Sequence, residues 1–197
     1  MAFSRFIAFE GGEGSGKSTQ ARLLAEAMGA LLTHEPGATE LGRRIRALVL
    51  DPDGAHALDR RAEALLMAAD RAQHVAEVIR PALDQGRDVV SDRFSGSTLA
   101  YQGYGRGLDL DDLAWLSRWA AGGLEPDLVV LLDVPPDVAV SRLAGDPDRM
   151  EAAGQAFHDR VADGYRKLAA DNPGRWVVVD GTGTVDEVAA RVMAVAG

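Results

Sequence analysis

The chain has 197 residues, 47% of them apolar and none of them cysteine. That is enough for one domain with a proper core, while disulfides and thiolate zinc sites are excluded and a reducing interior is the natural setting. The formal net charge of −9 argues against a general nucleic-acid binder, which needs a basic face for phosphates.

The opening "MAFSRFIAFEGG" has no basic segment ahead of a long apolar run, so no signal peptide is expected. "RFIAF" (5–9) reads as a strand, followed by a glycine loop and the helix-like "STQARLLAEAMG". "ALLT" (30–33) is a second, weaker strand, and "LGRRIRALVL" (41–50) a helix. From 60 to 83, apolar residues at 62, 65, 66, 69, 72, 76, 79 and 83 predict a helix of several turns that Pro81 bends or ends. "DVVSD" (88–92), "DLVVLLDV" (127–134) and "RWVVVD" (175–180) are the remaining strands. The last two are nearly continuous apolar runs, which suit strands covered on both faces. "LDDLAWLSRWAA" and "VDEVAARVMAVA" are helical. Strands alternating with helices predict parallel pairing with right-handed crossovers, hence an α/β sandwich. No stretch approaches the roughly 20 apolar residues of a membrane span. "AGDPDRMEAAG" (144–154), polar and rich in Gly, Pro and Asp, is the expected mobile segment.

Residues 11–18, "GGEGSGKS", fit G-x-x-x-x-G-K-[ST], and they lie between a strand and a helix as that motif requires. Gly11, Gly12, Glu13, Gly14, Ser15, Gly16, Lys17, Ser18 and Thr19 are thus expected to hold ATP or GTP. Glycines let backbone N–H groups face a pyrophosphate, and the helix N-terminus adds positive potential. Only two of the 21 basic residues are lysines, Lys17 and Lys167, so Lys17 has a specific task. It is expected at the β/γ-phosphates, with the Ser18 hydroxyl on Mg²⁺.

A nucleotide-driven switch and a small-molecule kinase both use such a loop. The guanine-reading Asn-Lys-x-Asp is absent, since the one asparagine, Asn172, precedes Pro173. A kinase needs a second pocket, a lid and arginines against phosphate charge. Asp92-Arg93 at a strand end could place an acid near Mg²⁺ and an arginine near phosphate, although a solvated strand end reads the same. "SGSTLAYQGYGRG" gathers hydroxyls, an amide and two tyrosines, which suit a heterocycle and a sugar. It equally suits a glycine-rich loop over a helix start.

Together these motifs resemble the thymidylate kinase family of the bacterial type, in order and over nearly the whole chain. "FEGGEGSGKST" is similar to the family's phosphate loop, and "THEPGAT" (33–39) to its TREPGGT. "AADRAQH" (68–74) and "DRFSGSTLAYQGYGRG" (92–107) resemble its nucleoside-site motifs. "PDLVVLLDV" (126–134) and "DRMEAAGQAFHDRVADGY" (148–165) resemble its fourth strand, lid and following helix.

The resemblance implies a single P-loop kinase domain over 1–197, a three-layer sandwich whose five-stranded parallel sheet runs 2-3-1-4-5, with a short lid at about 144–154. It implies transfer of the γ-phosphoryl of Mg·ATP to dTMP by a cytoplasmic homodimer, with faces around 45–50 and 60–83 as candidates. Arg71 would hydrogen-bond the thymine beside Gln102. Ser97 and Thr98 would line the base end, and Tyr101 would crowd the sugar's 2′ carbon. Arg46 and Arg93 would hold the 5′-phosphate over a corner made by Glu35, Pro36 and Gly37. Asp92 would support Mg²⁺ with Ser18. Arg149 in the lid, then Arg142, would meet the transferring phosphoryl group beside Lys17 and Arg93, because Gly14 stands where one branch of the family carries a basic loop residue. Glu13 would accept from the acceptor's 3′-hydroxyl. "DGTG" (180–183) would pass near the adenine. The chain departs from the family at His34, usually arginine, at Met67, usually a phenylalanine over the base, and in a short acidic lid.

Overall fold

The computed structural model describes residues 4–51, 58–143 and 148–197. The first strand, β1 (Phe6–Glu10), is buried at all five positions. Its alternate side chains serve two cores. Ile7 and Phe9 pack with Leu24, Val130, Val188 and Val192 on one side. Phe6 and Ala8 pack with Val75, Ile79 and Phe94 on the other. A strand covered on both faces has no polar side, which is why the run reads as continuously apolar.

The other strands are β2 (Leu31–His34), β3 (Val89–Asp92), β4 (Leu128–Asp133) and β5 (Trp176–Asp180). All pairings are parallel and the order is β2-β3-β1-β4-β5. Helices α1 (Lys17–Met28) and α9 (Val185–Ala196) cover the first face. The second face carries the long helical run from residue 60 and α8 (Gln155–Asp171). Helix α2 (Glu40–Leu50) packs on α3 (Arg60–His74), which packs on α6 (Leu110–Ala120).

Two helical stretches differ from the sequence expectation. Helicity does not stop at Pro81. A π turn at Val75–Ile79 follows α3, and α4 (Arg80–Asp84) then begins with Pro81 in its first turn, where a missing N–H costs little. "SGSTLAYQGYG" is helical rather than loop. It forms α5 (Ser95–Thr98) and a second π turn, Leu99–Gly105. The glycine at 105 serves close approach there, since a Cβ would stand 2.5 Å from the Phe157 ring. Helix α7 (Pro136–Arg142) is short and has no buried residue. Of the expected lid, 144–147 lie outside the described residues, and Glu151–Ala153 form a 3₁₀ turn.

Candidate active site

The parallel sheet brings the ends of β1, β2, β3 and β4 to one edge, where ligands sit in open α/β sheets. β1 runs into the loop 11–16, and α1 opens at Lys17 behind Gly16 at φ 90°. The Lys17 ammonium is buried. It donates to the Gly12 carbonyl at 3.0 Å and lies 3.6 Å from the Glu13 carboxylate. Burial, then the charge of Arg93, push it down from the usual lysine value.

Glu10 explains how the β3 end is shaped. It is fully buried and accepts from Phe94 N and Ser97 N at 3.0 Å, from the Ser97 hydroxyl at 2.6 Å and from the Tyr165 hydroxyl at 3.1 Å. Burial raises its carboxyl above the ordinary range against the pull of those donors. The turn it pins holds Arg93 at φ +73°, a left-handed conformation that costs a non-glycine residue roughly 1 kcal/mol or more.

Arg93 is therefore aimed at the phosphate loop. It donates to Gly11 O at 3.2 Å, to the Ser97, Tyr101 and Tyr165 hydroxyls at 3.2–3.3 Å, and to Glu13 at 2.5 Å. Tyr101 also donates to Glu13, at 2.8 Å. Burial works to raise the Glu13 carboxyl, but Arg93 and Lys17 outweigh it and hold it well below the usual carboxylate range. Glu13 stands between two clefts and lines both.

The first cleft, about 170 Å³, is lined by every residue expected at the acceptor site: Glu13, Glu35, Pro36, Arg46, Met67, Arg71, Arg93, Ser97, Thr98, Tyr101 and Gln102. Leu50, Asp70, Phe94, Asp148, Met150 and Glu151 complete it, and sequence reasoning did not assign them to the acceptor site. The Glu35–Pro36 bond is cis, and Arg46 donates to the Pro36 carbonyl at 3.0 Å. Asp70 accepts from Gly37 N at 3.0 Å with one oxygen, while the other is buried without a partner among the described residues. Burial, then the charge of Glu35, raise its carboxyl to about 6. Next to it, burial and then Arg46 push the His34 imidazole below its ordinary value.

Arg71 lines the cleft and is also part of the core. It is 2% exposed. It donates to Glu35 and Thr98 at 3.0 Å, to Ser117 at 3.3 Å and to the Phe94 carbonyl at 3.0 Å, and its guanidinium lies 5.2 Å from the Phe94 ring centroid. His74 adds a 2.9 Å bond to the other Glu35 oxygen.

The second cleft, about 220 Å³, lies between the end of β4, α7 and α8, with Gly12 and Glu13 at its edge. Gly14 touches this wall. A Cβ there would stand 2.2 Å from the Ala139 carbonyl of α7, and its φ is +71°. Ser18 donates to Asp92 at 2.5 Å, and the other Asp92 oxygen is buried without a partner among the described residues. A hydroxyl and a carboxylate are hard oxygen donors of the kind Mg²⁺ takes alongside substrate phosphates, so these residues fit the expected ion.

The two lid arginines part company: Arg142 reaches the phosphate loop and Arg149 does not. Arg142 donates to Ser15 O at 3.4 Å, Gly181 O at 3.0 Å and Gly183 O at 3.5 Å, tying the phosphate loop to the loop before α9. Arg149 donates to Val49 O at 2.7 Å and to Glu63 at 2.6 Å. The structure brings Arg149 to α2 and α3 rather than to Lys17. Glu63, buried at 1% exposure, also accepts from Gln102 and Arg106.

A family model described as thymidylate kinase matches residues 9–192. The chain is 50% identical over 195 residues to a thymidylate kinase of Synechococcus sp. (strain JA-2-3B'a(2-13)), covering 96% of this chain and 93% of that one. It is 48% identical over 202 residues to a thymidylate kinase of Nitratidesulfovibrio vulgaris (strain DSM 19637 / Miyazaki F), covering 95% and 94%. The crystal structure of thymidylate kinase from Ehrlichia chaffeensis superposes with a TM-score of 0.83 at 33% identity and full coverage of both chains.

Proposed function

This chain belongs to the thymidylate kinase family and phosphorylates dTMP to dTDP with ATP, and from that premise we propose how its residues divide the work. One observation carries the assignment. The phosphate loop and the acceptor cleft share a wall, made by Glu13, Arg93 and Tyr101 bonded to one another. A donor phosphate on the loop and an acceptor phosphate in the cleft would meet across that wall.

The loop backbone and Lys17 hold the β/γ-phosphates of ATP, and Lys17 leaves the Gly12 carbonyl to do so. Ser18 and Asp92 would hold Mg²⁺, which would supply charge neutralisation at the phosphates. Arg93 and Arg46 hold the 5′-phosphate of dTMP, Arg71 and Gln102 face the base with Thr98, and Met67 covers it. Tyr101 stands against the sugar, and Glu13 accepts from its 3′-hydroxyl. Transfer is direct and in line, so catalysis is positioning plus charge neutralisation. Arg149 remains our candidate for the arginine that meets the moving phosphoryl group. To reach that group it would have to leave Glu63.

The same reading places the enzyme in the cytoplasm with its charged nucleotide substrates; among the described residues no helix is long and apolar enough to cross a membrane. It also makes the protein a homodimer. Leu48 on α2, Leu65 on α3 and Trp115 and Trp119 on α6 are all exposed on helices that pack side by side, and the two indoles stack 6.2 Å apart. An unpartnered apolar face of this kind marks an interface. Light scattering would give a dimer for the wild type and a monomer for Trp115→Glu; a monomeric wild type would end the dimer proposal.

The assignment is tested by ADP release with ATP, Mg²⁺ and a panel of nucleoside monophosphates. dTMP should be the best acceptor. Another preferred acceptor would refute the division of labour in the cleft.

A further inference from the structure

Gln102 lines the acceptor cleft, but its amide is fixed from behind. A glutamine side chain offers one carbonyl acceptor and one NH₂ donor, and its two orientations present opposite chemistry to a ligand. Here Gln102 Nε2 lies 2.8 Å from Glu63 Oε1. The Glu63 carboxylate is buried, and its other partners are guanidinium groups: Arg106 at 3.4 Å on the same oxygen and Arg149 at 2.6 Å on the other. A carboxylate is an acceptor-only group, and guanidinium groups can only donate to it. Only the NH₂ end of Gln102 satisfies it. A flip would set the amide carbonyl against a carboxylate oxygen and leave a buried acceptor facing an acceptor.

We infer that Glu63 is a positioning residue for acceptor choice: by holding the Gln102 NH₂ it turns the Gln102 carbonyl to the cleft, where it selects a pyrimidine that carries N–H at ring position 3. Thymine offers that N–H. Cytosine presents a lone pair at the same ring atom, and two acceptors then face each other. Glu63 does not line the cleft, so it acts through Gln102. The inference rests on reading the cleft as the dTMP site.

The test measures kcat/KM for dTMP and dCMP in the wild type, Glu63→Gln, Glu63→Asp and Gln102→Leu, with folding checked by thermal melting. Glu63→Gln keeps the size but offers either a donor or an acceptor, so Gln102 is free to flip. The dTMP-to-dCMP ratio should fall about tenfold or more, because a site built around one hydrogen bond loses its discrimination when the partner can rearrange. Glu63→Asp loses a methylene but remains acceptor-only, so it should keep the ratio within about threefold. A merely structural glutamate predicts the reverse, with the shorter aspartate suffering more than the isosteric glutamine. An unchanged ratio in Glu63→Gln, or a larger loss in Glu63→Asp, overturns the inference. Should Glu63→Gln not fold, Glu63→Asp decides alone, and a tenfold loss of the ratio there overturns it. Gln102→Leu separates the two levels. If it lowers the ratio and Glu63→Gln does not, the role of Glu63 fails while the cleft stands. If Gln102→Leu leaves the ratio unchanged, the base does not lie against Gln102, and the reading of the cleft fails with the inference.

Discussion

Replacing Arg71 with alanine should cost the protein stability as well as dTMP binding. The guanidinium is the main partner of Glu35, which is itself buried, and its other N–H groups satisfy Thr98, Ser117 and the Phe94 carbonyl. Without it, Glu35 keeps a single side-chain partner among the described residues, His74. Breaking a buried ion pair by removing one member costs about 3–5 kcal/mol, because a charge is left in a poorly solvating place. Domains of this size have about 5–15 kcal/mol in total. At roughly 2–4 °C per kcal/mol, the midpoint should drop by about 6–20 °C. Urea denaturation followed by circular dichroism measures this directly. Adding Glu35→Gln to Arg71→Ala should return on the order of 1 kcal/mol, because it removes the stranded charge. Saturating dTMP should raise the wild-type midpoint and leave that of the variant nearly unmoved. An Arg71→Ala protein within about 1 kcal/mol of the wild type would show that the network is not structural and would refute the reasoning.

Asp70 gives a pH prediction. Its carboxyl is raised from the ordinary 3.8 to about 6, so the folded state holds the proton more tightly than the unfolded chain does. Its contribution to stability is fully present below 3.8 and fades as pH rises to about 6. Asp70→Asn keeps an oxygen for Gly37 N and cannot ionise, so its stability advantage over the wild type should grow across that window and level off above it. A constant difference would contradict this. Gly14→Ala must accept φ +71° and a Cβ 2.2 Å from the Ala139 carbonyl. It should displace α7 and raise the KM for ATP several-fold more than that for dTMP; equal effects on both would argue against it. Arg149→Ala should mainly lower turnover, by about 10³-fold if this is the arginine of the transition state, with dTMP affinity nearly unchanged in a binding titration. A large loss of dTMP binding would show instead that Arg149 serves the cleft through Glu63.

The sequence displays what is local and periodic. β1 and β4 could be read because each is one apolar run, whereas the order of the sheet came only with the family resemblance, since no local pattern encodes which strands are neighbours. Neither π turn was visible, because one extra residue in a helical turn leaves no periodic trace in hydrophobicity. Most cleft residues were named from motifs, but their partners were not. The burial of Arg71 was not legible, because helical spacing reports only which side of α3 it occupies. The acceptors that bury it come from 35, 94, 98 and 117, which no local pattern brings together. Glu63 was overlooked for the same reason. It carries no motif, and its role exists only once Gln102, Arg106 and Arg149 converge on it.

The scarcity of lysine has a practical side. Amine-directed reagents meet two ε-amino groups of opposite character. Lys167 lies 5.5 Å from the Tyr104 ring centroid on α8, open to modification whatever the loop holds. Lys17 is enclosed beneath the phosphate loop, and its lowered pKa leaves more of the neutral, nucleophilic amine at a given pH. A bound nucleotide would cover it and restore its charge. Counting adducts by intact mass would then turn the loop's own lysine into a label-free gauge of donor occupancy.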